Sequence, residues 1–319
     1  METAAQLTRA PAPSGAQWTI SADGHEAVVV EVGGGLRAYS VAGVDLVHRY
    51  DDSEICPGSA GQVLAPWPNR IRDGQYAFGD VKYQLPLTEP DRGNAIHGLV
   101  NWARWHVVES SAAAVTVEYE LVPTAGYPWS LLLRTTWSVG SDGLRAAHEV
   151  SNLSTQPCPF GFAPHPYLQV PDVAVDDLLL RVPGHSRLLV DSRQLPIGAT
   201  RVAGGELDYT EPRRIGNAVL DTAFGEVDHA SDGTSEVTLT GPTGEGVGVW
   251  ADRAFIWWQV YTGDTLAPDR RRRSVAVEPM TCPPDAYRSG RDLIVLQPGE
   301  TWTASWGIRP LSAPADGDG

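Results

Sequence analysis

Residues 274–287 read Ser-Val-Ala-Val-Glu-Pro-Met-Thr-Cys-Pro-Pro-Asp-Ala-Tyr. The run Ser274, Val275, Ala276, Val277 favours a strand, and Pro279 lacks the N–H that would continue a ladder, so the strand is expected to stop at Glu278. Side chains alternate along a strand. Val275 and Val277 therefore share one face, while Ser274, Ala276 and Glu278 share the other. Two small residues leading to a carboxylate leave room for a ligand, and a partly desolvated glutamate moves towards the pKa of a general base. On this stretch alone, a solvated glutamate at a strand end is the simpler reading.

Outward from this stretch the pattern stays β. Segments 27–32, 115–121, 131–139, 178–182, 236–240 and 255–262 are separated by Gly, Pro, Asp and Asn, the spacing of a sandwich or barrel. No helical periodicity of useful length appears, and 25 prolines and 33 glycines interrupt nearly every segment. Without an internal repeat or low-complexity linker, one large all-β domain over residues 16–311 is expected. It lies between a disordered N-terminus (1–15) and a disordered tail (312–319).

The formal net charge of −15 argues against nucleic acid or an anionic membrane surface as partner. No apolar run approaches the ~20 residues of a membrane span. The start Met-Glu-Thr-Ala-Ala-Gln lacks the basic and apolar regions of a secretory signal, so a cytoplasmic location is expected. Cys56, Cys158 and Cys282 are too few and too scattered for a disulfide framework or a paired zinc site, and read as reduced thiols. The basic run Arg270 to Arg273 reads as a solvated loop, the alternative being a site for an anionic substituent.

Several loops carry residue types suited to chemistry. Ala65-Pro-Trp-Pro-Asn-Arg70 presents an aromatic ring, an amide (Asn69) and a guanidinium (Arg70) on a stiff platform. Asn94-Ala-Ile-His-Gly98 sets His97 before a glycine, and Asp221-Thr-Ala-Phe224 reads as an ordinary turn with an isolated acid. His165 stands between Pro164 and Pro166, a rigidity that suits a positioned acid or base. Trp257, Gln259 and Tyr261 share a strand face, although Trp257 equally fits a core. No Rossmann, P-loop, zinc-protease or serine-hydrolase motif is present.

Together and in this order, these motifs resemble the aldose 1-epimerase (mutarotase) family over about residues 21–310. The matches are Pro66 to Arg70, Asn94 to Gly98, His165 to Tyr167, Asp221 to Phe224, Val260 to Gly263, Glu278 with Pro284 to Ala286, and Leu296 to Glu300. The resemblance implies a large antiparallel β-sandwich of the galactose mutarotase-like type, with Glu278 as general base and His165 as general acid. It implies Arg70, His97 and Asp221 on the sugar hydroxyls or ring oxygen, and Asn69, Gln259 and Tyr167 are added as binding candidates. His165 is followed by Pro-Tyr-Leu-Gln and Glu278 by Pro-Met, as in a bacterial side branch that includes sulfosugar and hexose-phosphate mutarotases.

Hemiacetal opening needs a proton removed from the C1 hydroxyl and another delivered to the ring oxygen, so one base and one acid suffice and no metal or redox cofactor is required. A glutamate with a raised pKa and a histidine near neutrality fit those roles. The expected activity is anomer interconversion on a neutral aldohexose, by a monomer or homodimer. Rival readings are an anionic sugar substrate, for which Arg70, Arg72 or the Arg270 run would supply charge, and a non-catalytic carbohydrate-binding protein.

Overall fold

The computed structural model describes residues 12–312. Residues 1–11 and 313–319, most of the two expected disordered ends, lie outside them. Within the first stretch, residues 12–15 form a turn: the Gly15 N–H donates to the Ala12 carbonyl, and Ser14 is buried with its carbonyl accepting from Val32.

Two antiparallel sheets dominate. The larger has nine strands in the order His106–Ser110, Ala114–Leu121, Leu131–Gly140, Gly143–Asn152, Thr301–Leu311, Gly246–Ala251, Ser235–Thr240, Leu179–Arg181 and Arg213–Arg214. Its centre follows from strict alternation. In Leu131–Gly140, Leu131, Leu133, Thr135, Trp137 and Val139 are buried while the residues between them are not. The second sheet has six strands in the order Tyr167–Leu168, Val275–Met280, Trp257–Tyr261, Asp221–Val227, Gly184–Val190 and Pro196–Arg201.

The main core joins the two. Leu133, Trp137, Val150, Val249 and Trp306 from the first sheet meet Phe224, Trp258, Val260, Val275 and Val277 from the second in one apolar cluster. Apolar burial of this kind, at roughly 25 cal/mol per Å², is the main favourable term holding two such sheets together. Since Val275 and Val277 face inwards, Ala276 and Glu278 point to the opposite face, as the alternation requires. The architecture is the all-β sandwich expected; the described helix Ala286–Ser289 is a single turn.

The strand does not stop at Glu278. It runs on to Met280, with Pro279 opposite Trp258 and Met280 opposite Trp257. Backbone donors alternate sides along a strand, and here the odd residues donate away from Trp257–Tyr261: Val277 to the Pro166 carbonyl and Thr281 to that of Phe162. Pro279 has the same phase. Its missing N–H therefore falls on the side of the 162–167 segment and leaves the ladder to Trp257–Tyr261 intact, an exception the local sequence does not announce.

Candidate active site

Cross-strand register decides which side chains share the outer face of the six-stranded sheet. Glu278 is opposite Gln259, which is opposite Ala223; one step along, Tyr167 is opposite Ala276, which is opposite Tyr261, which is opposite Asp221. Directly opposed residues point the same way. Two adjacent rows thus carry Glu278 and Gln259, then Tyr167, Tyr261 and Asp221, with the small Ala223 and Ala276 leaving space between them. Asp221 opens a strand rather than forming the ordinary turn expected from its neighbours. Trp257 belongs to a small apolar cluster with Leu64, Leu188 and Met280, so it packs rather than lining the cleft.

Loops complete the walls. Ala163–Pro164 pairs with Val63–Leu64, and Tyr167–Leu168 pairs with Ala276 and Val275, so His165 is fixed from both sides; its carbonyl also accepts from Gly61. Arg70–Arg72 pairs with Asn94–Ile96, bringing the two motif loops side by side. Asn69 (φ 52°) and His97 (φ 64°) are both left-handed, a conformation that Asn and His tolerate better than most residues, and the His97 N–H donates to the Asn69 carbonyl. Gly98 is required here for its backbone and not for a ligand, because a Cβ would lie 2.0 Å from the Ala65 carbonyl oxygen.

All eight candidates, Asn69, Arg70, His97, His165, Tyr167, Asp221, Gln259 and Glu278, line one cleft of about 210 Å³. His165 Nε2 lies 3.3 Å from Glu278 Oε1, and both side chains are almost wholly buried. The His165 ring stacks on Tyr167 and meets His97 edge-on. Gln259 Nε2 donates to Asp221 Oδ1 (2.6 Å), and Arg70 Nη1 is 3.7 Å from Asp221 Oδ2.

The electrostatics favour neutral forms of the central pair. Burial, with the Asp221 charge adding to it and Arg70 opposing, pushes the Glu278 carboxyl well above its ordinary value. Burial also lowers His165 to about 4, so this imidazole is not near neutrality as the sequence suggested. His97 is driven down by burial, then by His165 and Arg70. Among the described residues six buried side-chain atoms lack a hydrogen-bond partner, and four of them belong to this cleft: His97 Nδ1, His165 Nδ1, Gln259 Oε1 and Glu278 Oε2. Unsatisfied buried polar atoms cost about 1–3 kcal/mol each, so their concentration at one site marks a place built for a polar ligand.

The sequence reading missed other participants. Arg92 lines the cleft, as does Thr265, whose hydroxyl lies 2.8 Å from that of Tyr261, and Glu89 stands behind Arg70. Arg92 is 32% exposed and pairs with Glu89 at 3.3 Å. The expected anion candidates lie elsewhere. Arg72 faces Asp191 and Asp285, while Arg270 pairs with Glu54. Arg272 binds Asp176, Asp264 and the Gly216 and Ala218 carbonyls, so half of the basic run clamps loops instead of being solvated. Cys56, Cys158 and Cys282 are free and buried. Among the described residues no group of three or more His, Cys, Asp or Glu could hold a metal ion, and no helix is long and apolar enough to cross a membrane.

The family model for aldose 1-epimerase matches residues 16–309. The chain belongs to the aldose 1-epimerase family. This makes it an isomerase of the mutarotase class. It is 34% identical to the uncharacterised protein YihR of Escherichia coli K12 over 289 residues, covering 90% of this chain and 91% of that one. Among solved structures it is similar to the GalM/aldose epimerase homologue from C. elegans (TM-score 0.82, 16% identity, 94% and 100% of the two chains). It is also similar to galactose 1-epimerase from Lactobacillus acidophilus NCFM (TM-score 0.77, 20% identity, 92% and 94%). At such identities these two structures speak to the fold of the aldose 1-epimerase sandwich alone.

Proposed function

We propose that this aldose 1-epimerase interconverts the α and β anomers of a neutral aldohexose, with Glu278 as general base and His165 as general acid. The observation that carries the reading is the buried Glu278–His165 pair, 3.3 Å apart, in a cleft whose residues hold four unsatisfied polar atoms. Glu278 takes the proton of the C1 hydroxyl while His165 Nε2 gives one to the ring oxygen; the C1–O5 bond breaks and C1 becomes an aldehyde. Rotation about C1–C2 presents the other face, and the same two groups reverse their roles as the ring closes. Burial favours the neutral pair, and moving its one proton across the 3.3 Å contact from Glu278 to His165 Nε2 gives the carboxylate and imidazolium that this step uses. Arg70, Asp221, Gln259, Asn69, His97 and Tyr167 hold the hydroxyls and orient the ring.

A cytoplasmic site of action and a monomer or homodimer fit this reading, whose partner is the sugar itself. Polarimetry or NMR line exchange on freshly dissolved α-glucose and α-galactose tests it: acceleration over the spontaneous rate is expected, and a flat response with every sugar offered would leave a binding protein instead.

Arg92 favours a second reading, an anionic sugar. It is the cleft residue whose guanidinium has a single carboxylate partner, one it shares with Arg70. Adding glucose 6-phosphate and sulfoquinovose to the same panel ranks the two substrate classes.

A further inference from the structure

Glu89 does not line the cleft and plays no part in the chemistry above, yet four side-chain donors converge on it. Arg70 Nε lies 2.9 Å from Oε2 and 3.2 Å from Oε1, Arg70 Nη2 is 3.1 Å from Oε1, Arg92 Nη1 is 3.3 Å from Oε1, and Asn94 Nδ2 is 2.8 Å from Oε2. Burial pushes this carboxyl up, but the hydrogen bonds from Arg70 and Asn94 and the two guanidinium charges outweigh it, so it is held below its usual value.

The carboxylate is itself braced. Glu89 and Asn94 exchange backbone hydrogen bonds, and Asn94 Nδ2 also donates to the Arg193 carbonyl. Arg193 in turn donates to the carbonyls of Arg92 and Gly93 and to Asn94 Oδ1. A bidentate contact on Nε and Nη2 fixes a planar guanidinium in orientation as well as in place. The edge left over is Nη1, which faces Asn69 Oδ1 and Asp221 Oδ2.

We infer that Glu89 is a positioning residue, which locks the Arg70 guanidinium so that its Nη1 edge is the one presented to the substrate. The inference rests on the function proposed above for Arg70. Without Glu89, Arg70 would be a buried cation with Asp221 as its remaining carboxylate, and it would swing towards Asp221 Oδ2, beside the Oδ1 that Gln259 holds.

The test is a double-mutant cycle between Glu89→Gln, which keeps shape and the Asn94 contact, and Arg70→Met. Glu89→Gln alone should lower kcat/KM roughly 10- to 100-fold, the scale of a lost charge-assisted contact and a displaced binding group. In the Arg70→Met background it should cost less than about threefold, because its effect runs through Arg70. Equal costs in both backgrounds, or none in the wild type, overturn the inference. Circular dichroism and the thermal midpoint show that the variants fold. A readout independent of turnover is the NMR signal of the Arg70 Nε–H, which should shift in Glu89→Gln without any sugar; an unmoved signal overturns the inference as well. If the wild-type enzyme accelerates no anomerisation, the functional reading falls, and the Nε–H signal still decides the role of Glu89.

Discussion

Gln259 and Glu278 are directly opposed across two adjacent strands of the six-stranded sheet, and each keeps one oxygen without a hydrogen-bond partner. The amide spends its N–H on Asp221, so the strand that carries the base is next to one that holds a second carboxylate in line. Glu278, Gln259 and Asp221 are thereby fixed by a ladder, while His165, Asn69 and His97 come from the loops beside it.

Replacing Glu278 with glutamine keeps the shape and removes the proton acceptor. Mutarotation is expected to fall by at least ~10²-fold while the fold and sugar binding survive. Polarimetry alongside a sugar titration checks it, and activity within a few-fold of wild type would take the base role from Glu278.

His165→Asn should lose roughly 10²-fold or more in rate, the usual cost of removing a positioned acid, with His97→Asn milder. His97 has no contact with Glu278 like the 3.3 Å approach of His165. Rates of the two variants under one condition decide; if His97→Asn is the more damaging, the acid is the other histidine.

With His165 lowered by burial and Glu278 raised by burial and then Asp221, the working form is the one-proton state of the pair, so the basic limb of the pH–rate profile, where that proton is lost, should lie above the ordinary glutamate range. Removing the Asp221 charge in Asp221→Asn takes away one of the raising causes. The limb should then move to lower pH, whatever happens to the absolute rate. A limb that stays put or rises contradicts this coupling.

Charge selectivity should reside in Arg92 if the substrate is anionic. Arg92→Ala would then cut kcat/KM for glucose 6-phosphate or sulfoquinovose by at least ~10-fold, consistent with loss of a charge-assisted bond, and leave glucose within threefold. Arg72→Ala, whose guanidinium faces Asp191 and Asp285, should be nearly silent. Preference of the wild type for neutral hexoses, with no effect of Arg92→Ala on selectivity, would remove the anionic reading.

Acid stability can be tied to His148 in the large sheet. Trp306 Nε1–H donates to its Nε2 (2.9 Å), so Nδ1 carries the hydrogen offered to Thr135 Oγ1, also at 2.9 Å. Burial lowers its pKa to about 3. The unfolded chain takes up a proton below about 6.5 that the folded one refuses, so stability present above that pH is lost on acidification, ~2 kcal/mol from this group by pH 5. Denaturant unfolding at pH 7 and pH 5 should show this loss, and His148→Gln should flatten the slope by about one proton. An unchanged slope would exclude His148 as the cause.

The strands and their faces were legible because alternation is a local signal: the burial of Val275 and Val277 and the exposure of Glu278 to the cleft follow from counting by two. The candidate residues were legible because each sits in a distinctive short motif. Glu89 was not, since its contact with Arg70 spans 19 residues and exists only once Arg70–Arg72 pairs with Asn94–Ile96. Arg272 shows the same limit. Its acceptors Asp176, Gly216 and Ala218 are distant in sequence, and a run of arginines looks solvated until those partners are known. The lowered pKa of His165 depends on how much chain covers it, which no motif states.

Pro164, Pro166 and Pro279 surround His165 and Glu278, and none of them has an amide hydrogen. Isotope exchange at the backbone will therefore be nearly blind along this seam, where the flanking reporters are Val277 and Thr281. Opening on the side of the 162–167 segment would be reported by fewer amides than opening on the side of Trp257–Tyr261, where Glu278 and Met280 keep theirs. The imidazole signals of His97 and His165 and the tyrosine ring of Tyr167 are the probes placed to register it.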